Sequence, residues 1–262
     1  MNQLSPPDQP NGPSFRPSWH ARSGRLTARK RWALEELSQR YGVAGQSRGP
    51  LEHAPIAFEI GAGTGEAALA LARQRPHWLV VATEVHLASL ASLLLGVQAA
   101  GLDNVAVAGT DGRAVLAELA SQRRVELVRI LFPDPWPKRR HHGRRLVEPG
   151  LLDLLAGALT PGPPHPEADP AATGAAGTVE LATDDNSYAG VIARLFAADH
   201  RFVVTAAGPA PDCTYYEARA REAGRPVTSF AFRYLPQPRD WLRQPAPDPC
   251  PSPAMCSQEH PR

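Results

Sequence analysis

A single acid sits between two prolines in Pro133-Asp134-Pro135, and five cations follow it before the next acid, Glu148. The prolines restrict the backbone on either side of Asp134, which suits a carboxylate that must be aimed. Lys138, Arg139, Arg140, Arg144 and Arg145, with His141 and His142 among them, suit a row of phosphates better than one small anion. Trp136, inside the same stretch, admits two readings: a ring that stacks on a base, or a ring that packs. Upstream lies "FEIGAGTGE", where Gly61, Gly63 and Gly65 let the chain turn tightly and approach a ligand without a Cβ in the way. The spacing is G-x-G-x-G, not the G-x-G-x-x-G of dinucleotide sites. Glu84, about 20 residues beyond these glycines, is placed to accept the ribose hydroxyls of an adenosine. Asp111 ends the next apolar run and could take the adenine amine.

The elements that carry these residues alternate along the chain. Strands are expected at 55–60, 78–85, 104–110, 126–132 and 178–183, with helices at 65–75, 87–101, 113–122, 146–159 and 187–199. Two further strands, 201–207 and 227–235, have no expected helix between them and should pair antiparallel at one edge. The alternation predicts an α/β fold, a Rossmann-like open sheet, mostly parallel, with helices on both faces. Ligands in such sheets bind beyond the carboxyl ends of the strands, which is where Glu59–Gly65, Glu84, Thr110–Asp111, Phe132–Lys138 and Thr183–Asp185 fall.

Proline marks the limits of this pattern. Residues 1–18 and 236–262 read as disordered ends, and 160–178 as a flexible surface insertion. That leaves one domain, 19–235, whose first part, 19–40, is a basic arm with Arg22, Arg25, Arg29, Lys30 and Arg31. The net charge is only +2, so two separate basic clusters point to a phosphate-bearing partner. No run of about 18 apolar residues is present and no secretion signal is visible, so the reading is cytoplasmic with no membrane partner. Cys213, Cys250 and Cys256 form no CxxC pair, and His141 and His142 lack companions, so no metal is expected. Nothing calls for an obligate protein partner.

A carboxylate at Glu59, just before the glycines, would repel a pyrophosphate but welcome an ammonium. S-adenosylmethionine carries one, and this favours it over NAD as the cofactor. The set "FEIGAGTGE", "TEVH", "TDG", "FPDPWPKRRHHGRRLV", "ATDDNSYA" and "RPVTSF", with "RSGRLTARKRWAL" upstream, resembles the tRNA (guanine-N7-)-methyltransferase family. The resemblance covers residues 19–235. It implies a seven-stranded methyltransferase fold, S-adenosylmethionine as donor and a guanine of the tRNA variable loop as target. It also implies cofactor and catalytic roles for Glu59, Glu84, Asp111 and Asp134, and substrate contacts for Lys138, Asp184 and Thr228. Arg140, His141, Arg144 and Arg145 fall in the family's RNA-interacting run.

Some positions depart from the family pattern. A T-(K/R)-F-E motif reads Thr228-Ser229-Phe230-Ala231 here, Gly143 replaces a common lysine, and a later G-H-x-x-G-H run is missing. Three readings therefore stand at this point: an active methyltransferase, a divergent member that binds tRNA or cofactor with weak or no methylation, and a NAD-dependent Rossmann oxidoreductase.

Overall fold

The computed structural model describes Ser18 and residues 26–43, 51–162, 176–205 and 214–235. Residues 1–17 and 236–262, the start of the basic arm, the middle of the insertion and all the cysteines lie outside the described residues. Among the described residues, seven strands form one sheet in the order β3-β2-β1-β4-β5-β7-β6. β1 (Ile56–Ile60), β2 (Leu79–Thr83), β3 (Val105–Ala108), β4 (Leu127–Leu131) and β5 (Thr178–Thr183) run parallel. β7 (Thr228–Tyr234) is antiparallel to both β5 and β6 (Phe202–Val204), which makes β6 the edge.

Side-chain alternation sorts the two faces. Ile56, Phe58 and Ile60 of β1, with Val128 and Ile130 of β4 and Val179 and Leu181 of β5, point to one side. There they meet α5 (Gly112–Ala120), α6 (Pro149–Ala158) and α7 (Asn186–Ala198) through Leu116, Leu151, Leu155 and Ile192. Phe196 of α7 stacks on Phe232 of β7 with centroids 3.9 Å apart. Ala57, Val80, Ala82 and Leu127 point to the other side, toward α3 (Glu66–Gln74) and α4 (Leu87–Ala100). Strands buried on both faces read as unbroken apolar runs, which is why they are easy to find.

An N-terminal helical segment covers the same face as α3 and α4. It consists of α1 (Ala28–Trp32), a π-helical turn (Ala33–Leu37) and α2 (Ser38–Tyr41). Thr27 caps it by accepting from the Lys30 N–H. Ala33, Leu37 and Tyr41, four apart, form its buried stripe. Lys30 Nζ donates to the Ala88 carbonyl at 2.8 Å, so one cation of the arm secures the start of α4.

One expectation is corrected. A helix, α8 (Tyr215–Glu222), stands between β6 and β7. Thr214 caps it, its hydroxyl accepting from the Glu217 N–H at 3.0 Å. Thr214-x-x-Glu217 is a helix-start signal. The helix, Tyr-Tyr-Glu-Ala-Arg-Ala-Arg-Glu, is so rich in charge that no apolar period marks it in the sequence. The antiparallel pairing of the last two strands is as expected.

Candidate active site

β1 delivers Glu59 into the sheet's carboxyl end, and the glycine turn follows at once. Gly65 has φ +94°, and a Cβ there would strike Leu93 of α4, so neither the conformation nor the space admits a side chain. The Gly61 and Ala62 N–H groups donate to the Thr83 carbonyl at 2.9 and 2.8 Å, anchoring the turn to the end of β2. Glu84 completes the anchorage. One of its oxygens accepts from the Gly63 N–H at 2.8 Å and the other from the His86 N–H at 2.7 Å. Burial raises the Glu84 pKa, and those two backbone donors oppose the rise. Each oxygen keeps a second lone pair, which a ribose hydroxyl could occupy.

Glu59 is different. It is only 3% exposed, and its Oε2 has no hydrogen-bond partner among the described residues. Burial pushes its carboxyl up to about 7, with the Arg129 charge pulling against the shift. An orphaned carboxylate oxygen beside a glycine turn fits a ligand that brings an ammonium group, and fits a pyrophosphate badly.

Replacing Glu84 with alanine should weaken binding of S-adenosylhomocysteine by about 1–3 kcal/mol, because a charged acceptor and the grip on the Gly63 turn vanish together. Calorimetry on the folded variant measures this. Unchanged affinity would remove Glu84 from the site.

Asp111, just beyond the end of β3, is tied to the first turn of the next helix. It caps α5 and accepts from Arg113 N, Nε and Nη2 at 3.0, 3.2 and 2.7 Å. Arg113 is itself buried, so this carboxylate neutralises an interior guanidinium. Its chief role in the fold is that of cap and counter-ion.

Beyond β4 the chain turns through two non-glycine residues in the left-handed region, Phe132 (φ +52°) and Trp136 (φ +44°). Such backbone persists only where its surroundings fix it. Trp136 is 2% exposed, donates from Nε1 to the Ser18 carbonyl at 3.0 Å, and lies under the Arg144 guanidinium at 3.9 Å. The packing reading of this tryptophan is therefore the right one. Arg145 braces the turn from the other side. Its Nε donates to the Pro135 carbonyl at 2.8 Å, and its guanidinium lies over the Tyr188 ring. At 6% exposure Arg145 is an interior strut of this turn, set apart from the exposed cations of the same run. Tyr188, whose hydroxyl accepts from the Val147 N–H at 2.9 Å, is pushed up to about 12 by burial. Asp134 stands exposed between the left-handed Phe132 and Trp136.

The remaining cations follow on a short 3-10 helix, Arg139–Arg144. Lys138, Arg139 and Arg140 are exposed, while His141, His142 and Arg144 are half-buried. Asp184, at the end of β5, accepts from Arg225 Nε at 2.8 Å, and Thr228 stands opposite Thr183 where β7 begins. Phe132 connects the turn to an open cleft lined by Glu59, Gly61, Gly63, Thr64, Phe132 and Tyr216. Tyr216, in the first turn of α8, is 54% exposed and stacks over Phe132 at 6.4 Å. Sequence reasoning missed Tyr216 together with its helix; the Thr214 capping signal could have found both.

The strand order and the glycine turn define a Rossmann-like α/β sheet. Residues 53–230 match a family described as "Putative methyltransferase". A tRNA (guanine-N(7)-)-methyltransferase of Halorhodospira halophila is 35% identical over 230 residues, covering 82% of this chain and 93% of that one. One from Nitrosococcus oceani is 35% identical over 236 residues, covering 85% and 94%. The chain belongs to the tRNA (guanine-N7-)-methyltransferase family. Among solved structures, the 16S rRNA methyltransferase KamB aligns with a TM-score of 0.49 at 14% identity, covering 72% of this chain and 91% of that one.

Proposed function

We propose that this protein transfers a methyl group from S-adenosylmethionine to N7 of a guanine in the variable loop of tRNA, in the cytoplasm. The observation that carries the reading is the Asp134 turn: one exposed acid on a braced, strained loop that shares Phe132 with the Glu59 cleft. Glu59 would receive the donor's ammonium, Glu84 the ribose hydroxyls, and the turn at Gly63 the close approach between them. Bound in this way, S-adenosylmethionine supplies a methyl already activated on a sulfonium. The family relatives named above, with the same motifs, support tRNA as the acceptor.

Guanine N7 carries a free lone pair at neutral pH, so no base has to expose the nucleophile. What the chain must supply is alignment. As N7 bonds to the methyl carbon the guanine becomes cationic, and Asp134 sits where a fixed negative charge can oppose that development. The same carboxylate can accept from N1–H and N2–H, which adenine does not offer together. Lys138, Arg139 and Arg140 hold the phosphates on either side. Lys138, Asp184 and Thr228 border the acceptor, with Asp184 oriented by Arg225.

Mass spectrometry of tRNA incubated with the protein and methyl donor tests the reading. Appearance of 7-methylguanosine is expected; binding of tRNA without methylation would identify a divergent binder instead. The division of labour among the cations is testable too. Arg139→Ala with Arg140→Ala should weaken tRNA binding and reduce the slope of log K against log salt by up to about two, since each exposed cation releases roughly one counterion. An unchanged slope in filter-binding titrations would take both residues off the RNA.

A further inference from the structure

The sheet carries a charged row that none of the motifs contains. In register, Glu59 of β1 stands beside Arg129 of β4, Arg129 beside Glu180 of β5, and Glu180 beside Ala231 of β7. All four point to the α3 side, because Phe58, Val128, Ile130, Val179, Leu181 and Phe232 occupy the opposite face. Arg129 therefore has a carboxylate on either hand. It takes only one of them: its Nε donates to Glu180 Oε2 at 2.7 Å, while Glu59 Oε2 is left without a partner.

We propose that Glu180 is a positioning residue that holds Arg129 away from Glu59, so that the Glu59 carboxylate stays unpaired for the ammonium of the methyl donor. The inference rests on the reading of Glu59 given above. An arginine beside a buried, orphaned carboxylate has every reason to pair with it, and the fork geometry favours doing so with both nitrogens. A ligand ammonium would then have to compete with an ion pair already made. Glu180 removes that competition by giving the guanidinium an acceptor one strand farther away. The next position in the row is Ala231, which carries no charge. The alanine leaves Glu180 as the carboxylate in this row, other than Glu59, that can hold Arg129. The charged groups that bear on Glu59 are Arg129, Glu180 and Glu66 of α3.

The experiment compares two ligands by calorimetry. S-adenosylhomocysteine carries the amino-acid end with its ammonium, whereas 5′-methylthioadenosine lacks that end and never meets Glu59. Glu180→Gln should weaken S-adenosylhomocysteine at least about tenfold, the size expected when a charge-assisted contact is lost, and should leave methylthioadenosine unchanged. Adding Arg129→Met to Glu180→Gln should restore most of the lost affinity, because nothing is then left to occupy Glu59. A merely structural role for Glu180 would not produce that rescue. Should Glu180→Gln lose methylthioadenosine as well, Glu180→Asp, shorter by one methylene, carries the same expectation at smaller size. Wild-type affinity in Glu180→Gln, or a double variant as weak as the single, overturns the proposal. Glu59→Gln separates the premise from the proposal: if it leaves the preference for S-adenosylhomocysteine over methylthioadenosine intact, the cofactor reading of Glu59 fails on its own.

Discussion

Asp134→Asn is expected to lower single-turnover methyl transfer by about 10²-fold or more, a size typical of removing one placed electrostatic group. The substitution is nearly isosteric and the residue is exposed, so stability should shift by no more than about 0.5 kcal/mol. Affinity for S-adenosylhomocysteine should hold, because Asp134 does not line the Glu59 cleft. What changes is the group presented to the base. The charge opposing the developing guanine cation disappears, and one acceptor oxygen becomes a donor amide facing the N1–H and N2–H donors. The exposed cations Lys138, Arg139 and Arg140 are untouched, so tRNA affinity should fall far less than the rate. Near-normal turnover in a folded Asp134→Asn variant would sink this account of the turn.

Trp136→Ala should cost about 3–5 kcal/mol of stability, the range for deleting a large buried aromatic. The ring is enclosed by Arg144 above and His141 edge-on, and its indole N–H is tied to Ser18. Its loss opens a cavity under the turn that aims Asp134 and releases the chain at Ser18. Trp136→Phe keeps most of the packing and drops the hydrogen bond, so it should cost less, by the net value of that bond plus a smaller cavity. Urea unfolding of the two variants distinguishes these cases. Equal stability in Trp136→Ala and the parent would mean that the ring contributes nothing to bracing the turn.

Much of this architecture is legible from residue pattern. The five parallel strands are apolar on both faces, so each appears as a run that a short window detects. The strand-end rule then assembles Glu59, Glu84 and Asp134 at one rim without any coordinates. Other features depend on geometry that a linear string does not carry. Arg140 and Arg145 are neighbours in the same basic run, yet one is exposed and the other is buried against Tyr188. The direction in which each cation points is decided by the left-handed turn at Trp136 and by a tyrosine on α7. Asp111 was legible from its strand-end position, but its pairing with the buried Arg113 two residues on was not. The Glu59–Arg129–Glu180–Ala231 row needs strand order and register before it exists at all. It also changes the meaning of Ala231. Supplying the family's acid there would place a second carboxylate directly opposite Glu180, where like charges repel.

The sheet order has a consequence for the sequence of events during synthesis. β7 lies between β5 and β6, so the last strand in the described chain is an interior one. Until Tyr234 has left the ribosome, β5 presents a bare edge and β6 has no neighbour to join. The Glu59, Glu84 and Asp134 positions are all translated much earlier, yet the half of the sheet next to Asp184 closes only when β7 inserts. A nascent chain stalled before Thr228 would carry a nearly finished cofactor cleft beside an open strand, which is a template for pairing with other chains. Closure of the described sheet thus waits for β7 rather than for the glycine turn.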